Sequence, residues 1–290
     1  MSMKTIQFTK AHGAQNDFVI VDDRDRTLSD DERRSFAIWS AHRRKGVGSD
    51  GCIFIDNSEL SDFTMAFYNP DGSVGSMCGN GGRCAALFAK QNGIASGSMR
   101  FDVLGRIYSA EVDGETIRLA FPPPENITPG IELDCEGMSC IVDYIDTGAP
   151  HVLLFTDQLP APLRAPLDSV NLERIGPMLR HHDHFAPRGV NVNILERGAD
   201  GIVAIRTFEK GVEAETAACG TGTLAAGMVA HVRRDCAPPV RLRTRGGDLL
   251  TVHFTPGEAS SDDPSYYARD LVLEGPAALL YDGCCVFPAA

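Results

Sequence analysis

The sequence predicts an α+β chain made of two similar halves, and three observations carry that prediction. A glycine-rich cysteine motif occurs twice, as NPDGSVGSMCGNGGRCAALFA at 69–89 and as KGVEAETAACGTGTLAAGMVA at 210–230. Aligned on Cys78 and Cys219, both copies read Cys-Gly-x-Gly, two residues, then a small, mostly apolar run, and they lie close to half a chain apart. A repeat at that distance implies two like units, each presenting one cysteine. At 290 residues the chain is long enough for two ordinary domains. In each half, short β-branched and aromatic runs surround a few stretches of helical spacing.

The motif has its own physics. A glycine-rich turn entering an Ala/Leu/Met-rich run reads as a loop feeding a helix N-terminus. The unpaired backbone N–H groups there attract anions and lower a nearby thiol's pKa from its ordinary value of about 8.5. Each half then offers a reactive sulfur beside a nest for a carboxylate. The plainer alternative, two buried cysteines in two Gly-Ala turns, explains one copy better than two in matching contexts.

Composition narrows the partners. With 43% hydrophobic and 23% charged residues the balance is globular, without a disorder signature. A net charge of -12 argues against nucleic acid and anionic membrane, so a bound anion must be caught locally. The opening MSMKTIQFTK lacks the apolar core of a signal peptide, and no run reaches transmembrane length. Nine cysteines, an odd number with no CxxC pair, favour reduced thiols in a cytoplasm over a disulfide framework.

The first half starts with strands around Ile6–Phe8 and Phe18–Val21, flanking the turn His12–Asp17, whose amides suit a ligand although most such turns are only turns. Ser29-Asp30-Asp31-Glu32 is a capping box opening a helix with Phe36 and Trp39 on one face. Arg43-Arg44-Lys45-Gly46 reads as that helix's C-terminal end, not as a binding patch. Strands at 52–56 and 62–69 lead into the first cysteine loop, and a helix is expected from about Gly81 to Gln91. Strands near 99–104, 108–112 and 116–121 follow, and Pro122-Pro123-Pro124 is the candidate linker.

The second half opens irregularly and then gives strands at 139–145 and 151–155. Val170, Leu172, Ile175, Met178 and Leu179 form a helical core-facing stripe. His181, His182 and His184 invite a metal reading, but one nearby carboxylate, Asp183, and the following Pro187 favour a solvated loop. Strands at 190–195 and 201–208 deliver the second cysteine loop, strands at 241–244 and 249–254 follow, and the tail at 271–275 is a strand returning to the first domain. The domains expected are 1–122 with 270–290, carrying Cys78, and 123–269, carrying Cys219.

Two thiols at helix ends are able to form a redox pair, bind metal, or act as two general bases. Redox cysteines usually lie close in sequence, and metal sites need more ligands beside each sulfur. Opposed acid and base uses the duplication: one thiolate takes a proton from one face of a carbon and the other thiol donates to the opposite face. Helix N-termini would hold a carboxylate and stabilise developing negative charge. That is racemase or epimerase chemistry α to a carboxylate, and no lysine-centred pyridoxal motif stands out.

Further motifs carry a resemblance. They are His12-Gly13-x-x-Asn16-Asp17-Phe18, Gly46-Val47-Gly48-x-Asp50-Gly51, Tyr68-Asn69-x-Asp71-Gly72-Ser73 and Met77-Cys78-Gly79-Asn80-Gly81-x-Arg83-Cys84. Thr147-Gly148-x-Pro150-His151, Asn191-Val192-Asn193, Glu209-x-Gly211-x-Glu213-x-Glu215-Thr216-x-Ala218-Cys219-Gly220-Thr221-Gly222 and Arg245-Gly246-Gly247 complete the set. Almost end to end, the chain resembles the diaminopimelate epimerases. The resemblance implies two pseudo-symmetric α+β domains, each a curved β-sheet wrapped around a central helix, and a cytoplasmic homodimer. It implies interconversion of LL- and meso-diaminopimelate without pyridoxal phosphate or metal, in lysine and cell-wall precursor synthesis. Cys78 and Cys219 would be the acid/base thiols, Gly79-Asn80 and Gly220-Thr221 the donors to the α-carboxylate, and Asn69 and Glu209 the holders of the α-ammonium. His151 would lie near the reacting centre, and Asn16 and Asn191 would face the distal end.

Lys210 stands where the family usually has arginine for the distal carboxylate; it keeps the charge and loses the bidentate fork. Ala149 and Gly51 are smaller departures, shared with one branch of the family. Lys210 leaves a cofactor-independent racemase of another amino acid as an alternative, and a non-catalytic thiol protein binding an anion is a third reading. Two cysteines that approach one carbon are also expected to join on oxidation. Cys84, Cys284 and Cys285 read as packing or incidental residues.

Overall fold

In the computed structural model, which describes residues 2–257 and 268–289, the chain opens with the antiparallel strands β1 (Ser2–Gly13) and β2 (Asn16–Asp22). They are joined by Ala14 and Gln15, both at positive φ (51° and 65°), a left-handed pair that matches strand twist without a glycine. Helix α1 (Asp30–Ala41) starts in the expected capping box, with Ser29 Oγ accepting from the Glu32 N–H and Glu32 accepting from the Ser29 N–H. The segment continues through β3 (Gly51–Asp56), β4 (Phe63–Tyr68), α2 (Gly79–Gln91), β5 (Ser98–Val103), β6 (Arg106–Asp113) and β7 (Thr116–Phe121). The pairings run β1/β2 antiparallel, β2/β3 parallel, β3/β4 antiparallel, β4/β5 parallel, then β5/β6 and β6/β7 antiparallel.

The next segment repeats this plan. It comprises β8 (Glu125–Cys135), β9 (Met138–Asp146), β10 (Pro150–Phe155), α3 (Leu172–Arg180), β11 (Asn191–Arg197), β12 (Val203–Glu209), the short β13 (Ala214–Thr216), α4 (Gly220–Arg234), β14 (Val240–Arg243), β15 (Leu249–Pro256) and β16 (Ala268–Pro276). From β9/β10 onward the same alternation returns: antiparallel, parallel with β11, antiparallel with β12, parallel with β14, and antiparallel through β15 and β16. The last strand, β17 (Ala278–Ala289), pairs antiparallel with β1, as β8 pairs with β9. Contacts divide the chain into Met1–Ala120 with Gly275–Ala290 and Phe121–Glu274.

Each unit wraps its sheet around one helix. Residues Gly79–Ala89 of α2 and Gly220–Ala230 of α4 are buried on every side. A helix so enclosed must be small and apolar all round, which is why both runs are rich in Gly and Ala. On the other sheet face a second helix covers the strands. Phe36 and Ala37 of α1 pack with Val19, Val21, Cys52 and Phe54 in the first unit. Leu172, Ile175 and Leu179 of α3 pack with Val152, Leu154, Val192 and Ile194 in the second. With both faces covered, β3 and β10 are buried at every position, and their sequences show no polar alternation.

Several expectations are corrected. Helix α2 begins at Gly79, two residues before the expected Gly81, because Cys78 itself is the N-cap. Helix α1 ends at Ala41 with His42 as an extended cap, so Arg43 is not a helix-end cation; it bridges Asp17 (2.8 Å) and Asp50 (2.6 Å). The irregular opening of the second half is β8, whose register slips after Glu125 and Thr128 and whose Asn126 and Gly130 take positive φ. Strand β16 pairs with β15 as far as Glu274, and the contact division assigns the chain to the first unit again from Gly275. His181 pairs with Glu213 (3.2 Å) and His182 with the Asp134 carbonyl (3.1 Å), and among the described residues no three His, Cys, Asp or Glu side chains gather as a metal site would need. Nor is any helix among them long and apolar enough to cross a membrane.

Candidate active site

Cys78 and Cys219 occupy the same structural position in their units. Each is the N-cap of the central helix, with φ/ψ of -104/116° and -120/113°. Neither side chain caps its helix, and neither first turn contains an acid. Helix α1 is the contrast: Asp30, Asp31 and Glu32 fill its first turn. An uncompensated N-terminus, positive from its dipole and its unpaired N–H groups, is a place for an anion. Gly79-Asn80 and Gly220-Thr221 form the first residues of these helices.

Around Cys78 the polar side chains are held from behind. The sulfur lies 3.8 Å from Asn16 Oδ1, which also accepts from Asn80 Nδ2 at 3.2 Å. Asn16 Nδ2 donates to Asp50 Oδ2 at 2.8 Å, and the fully buried Arg83 donates to Asn80 Oδ1 at 2.9 Å. Asp50 is held by Arg43, which also holds Asp17; Asp17 accepts in addition from the buried Lys10. Arg43 and Lys10 outweigh burial and hold the Asp17 carboxyl down to about 2. Gly13 closes this corner, since a Cβ there would meet the Asn80 carbonyl oxygen at 2.8 Å. Asn16, expected at the distal end of a substrate, is thus placed beside the thiol.

Around Cys219 a different set assembles. Thr221 Oγ1 lies 3.6 Å from Cys219 Sγ and 2.9 Å from His151 Nε2. His151 is completely buried on β10, and burial pushes its pKa down to about 3, so the ring is neutral. Its Nδ1 lies 3.1 Å from Asn193 Nδ2. Nearby, Thr216 Oγ1 donates to Glu209 Oε2 at 2.8 Å. Asn191 Oδ1 accepts the Lys210 N–H at 2.8 Å while its Nδ2 donates to the Pro150 carbonyl, so this amide braces the Lys210 turn. Partial burial, then the charges of Arg188 and Arg180, push the Lys210 ammonium below its ordinary pKa. Asn69, in the first unit, donates to Ser73 Oγ at 3.0 Å in the turn after β4.

Sequence reasoning missed Asp50, Asn193, Arg180 and Arg188 as members of these clusters. Asp50 and Asn193 stood inside quoted motifs, and their position opposite an asparagine and a histidine needed the strand register. The two arginines carry no local signal, because they reach Lys210 only through the fold.

Two units of one topology, each entering its central helix at a cysteine, place the chain in a fold class with solved members. A hydroxyproline epimerase from Agrobacterium vitis aligns with TM-score 0.71 over 97% of this chain and 92% of that one, at 14% identity. A Bacillus anthracis phenazine biosynthesis protein of the PhzF family aligns with TM-score 0.69 over 98% and 100%, at 15% identity. The family model described as diaminopimelate epimerase matches residues 8–120 and 144–263. The chain is 36% identical to the diaminopimelate epimerase of Chlorobaculum tepidum over 93% of this chain and 98% of that protein. To that of Aquifex aeolicus it is also 36% identical, over 86% and 90%. The chain belongs to the diaminopimelate epimerase family.

Proposed function

We propose that the protein is an isomerase that interconverts LL- and meso-diaminopimelate without a cofactor, in lysine and cell-wall precursor synthesis, with Cys78 and Cys219 as its two acid/base groups. The observation that carries the reading is the pair of cysteine N-caps on uncompensated helix N-termini, one per unit, in a chain of this family. One sulfur, as thiolate, takes the α-proton. The electron pair left on carbon is delocalised into the α-carboxylate, whose growing charge meets the backbone N–H groups of Gly79-Asn80 and Gly220-Thr221. The other sulfur, as thiol, gives its proton to the opposite face and becomes the thiolate, so protons and charge balance without redox change. Asn69 and Glu209 hold the α-ammonium.

Lys210 takes the distal carboxylate. Arg188 and Arg180 stand near it, each already ion-paired, with Asp146 (2.7 Å) and Glu213 (2.9 Å), so the cation offered to a diacid substrate is the Lys210 ammonium. The second reading, a racemase of another amino acid, rests on Lys210 alone. A cytoplasmic homodimer is the finer reading: all nine cysteines are thiols, and β17 exposes Leu280, Tyr281 and Val286.

Proton NMR of reduced protein in deuterated water, with LL-diaminopimelate and a panel of single-enantiomer amino acids, tests this. Loss of the diaminopimelate α-proton signal, abolished by Cys78→Ala or Cys219→Ala, is expected. Exchange confined to another amino acid transfers the mechanism to the second reading; no exchange with reduced thiols rejects both.

A further inference from the structure

The hydrogen bonds behind the two cysteines have fixed and opposite senses. In the second unit the sense is set at Asn193, which is fully buried. Its Nδ2 lies 3.0 Å from the Val152 carbonyl, which only accepts, and its Oδ1 takes the Thr207 hydroxyl at 2.9 Å. The amide is therefore oriented, and the same Nδ2 donates to His151 Nδ1 at 3.1 Å. A neutral histidine that accepts at Nδ1 carries its proton on Nε2. That proton goes to Thr221 Oγ1, 2.9 Å away, and the Thr221 hydroxyl hydrogen is left to point at Cys219 Sγ, 3.6 Å away.

In the first unit the chain of bonds ends the other way. The Asp50 carboxylate only accepts, which fixes Asn16 Nδ2 toward it at 2.8 Å. The Arg83 guanidinium only donates, which fixes Asn80 Oδ1 toward it at 2.9 Å and turns Asn80 Nδ2 to Asn16. Asn16 Oδ1 is thus an acceptor 3.8 Å from Cys78 Sγ, and what it suits is an S–H.

We propose that these networks assign the protons of the substrate-free protein, with Cys219 as the thiolate and Cys78 as the thiol, and that Asn193 is a positioning residue acting through His151 and Thr221. The inference deepens the two-thiol reading given above. It makes Cys219 the first base, so a turnover leaves the two protons exchanged and the resting state must be restored before the same epimer reacts again.

The test needs no substrate. Burial pushes the thiols of Cys52, Cys84, Cys135, Cys140, Cys236 and Cys285 up, so they stay protonated at neutral pH, and a Cys284→Ser background removes the exposed one. The ultraviolet thiolate band at pH 7 is expected to survive Cys78→Ala and vanish in Cys219→Ala. Thr221→Val and Asn193→Leu should slow alkylation of Cys219 about tenfold, the loss of one hydrogen bond to a charged group, while Thr221→Ser restores it and Cys78 is unaffected. A band that follows Cys78, or alkylation indifferent to Thr221→Val while Thr221→Ser is folded, overturns the assignment. Because thiolate is read directly, failure of the epimerisation assay and failure of this inference are separate results.

Discussion

Gly222 leaves the space that Asn193 fills: a Cβ at Gly222 would come within 2.6 Å of Asn193 Oδ1 and 3.2 Å of the His151 ring. The helix that carries Cys219 packs on the histidine–asparagine pair because that position has no side chain. Gly222→Ala is expected to cost about 1–3 kcal/mol of stability by overpacking. It should also lower kcat, since the displaced amide no longer orients His151. Gly137, whose missing Cβ would face open space, is the control: Gly137→Ala should lower stability slightly through its positive φ and leave kcat unchanged.

His151 links stability to pH. Its pKa is about 3 when folded against 6.5 as the ordinary value, so between these the unfolded chain binds more protons. Stability contributed by the neutral ring is present above about pH 6.5 and is lost as pH falls toward 3, with a slope approaching about 1.4 kcal/mol per pH unit. Chemical denaturation at pH 7 and pH 5 should show this loss, and His151→Gln should remove the part due to the ring.

Arg33 is buried between Asp23 and Asp56, with contacts of 2.5–2.8 Å to both carboxylates. Removing the cation takes the ion pair from the buried Asp23 and leaves the buried Asp56 with the exposed Arg26 at 3.6 Å. Arg33→Met should lower the unfolding free energy by about 3–5 kcal/mol in urea. Activity per folded molecule should not change.

Lys210 tests the distal end of the substrate. Lys210→Met should raise KM for diaminopimelate about tenfold or more with a smaller effect on kcat, as expected for loss of a charged hydrogen bond far from the reacting carbon. Lys210→Arg should retain or tighten binding by restoring the planar fork. An unchanged KM in the methionine variant would show that the distal carboxylate lies elsewhere.

Air should inactivate the protein by joining the sulfurs of Cys78 and Cys219, the two proposed acid/base groups, with the two electrons passing to oxygen. Thiol titration should fall by two per chain as activity falls, and dithiothreitol should restore both. Activity lost at constant thiol count would contradict this.

Much of the fold was legible because its signals are local. The cysteine motifs mark both central helices, and Ser29–Glu32 names the start of α1 from four residues. Cys52–Asp56 and His151–Phe155 read as strands because both faces are covered and, apart from Asp56 and His151, the residues are apolar. What escaped depended on distant partners. Strand β8 alternates exposed and half-buried positions with bulges, so its pattern looks irregular until β9 is laid beside it. Arg43 carries the composition of a helix end, and only the fold brings Asp17 and Asp50 to it. At the candidate site the sequence names the sulfurs and the helix ends; the direction of the hydrogen bonds behind them comes from Asn193 and Asp50, whose roles depend on their opposite strands.

The pairing of β17 with β1 also imposes an order on biogenesis. Strand β1 finds its outer partner in the far-off β17, so the first unit stays unfinished until β17 has been made, whereas the second is contiguous in sequence and can fold while its neighbour waits. Until β17 arrives, β1 presents a bare strand edge, which other nascent chains can join. The load on chaperones therefore falls on β1, and loss of β17 would damage the fold at the strand most distant from it in sequence.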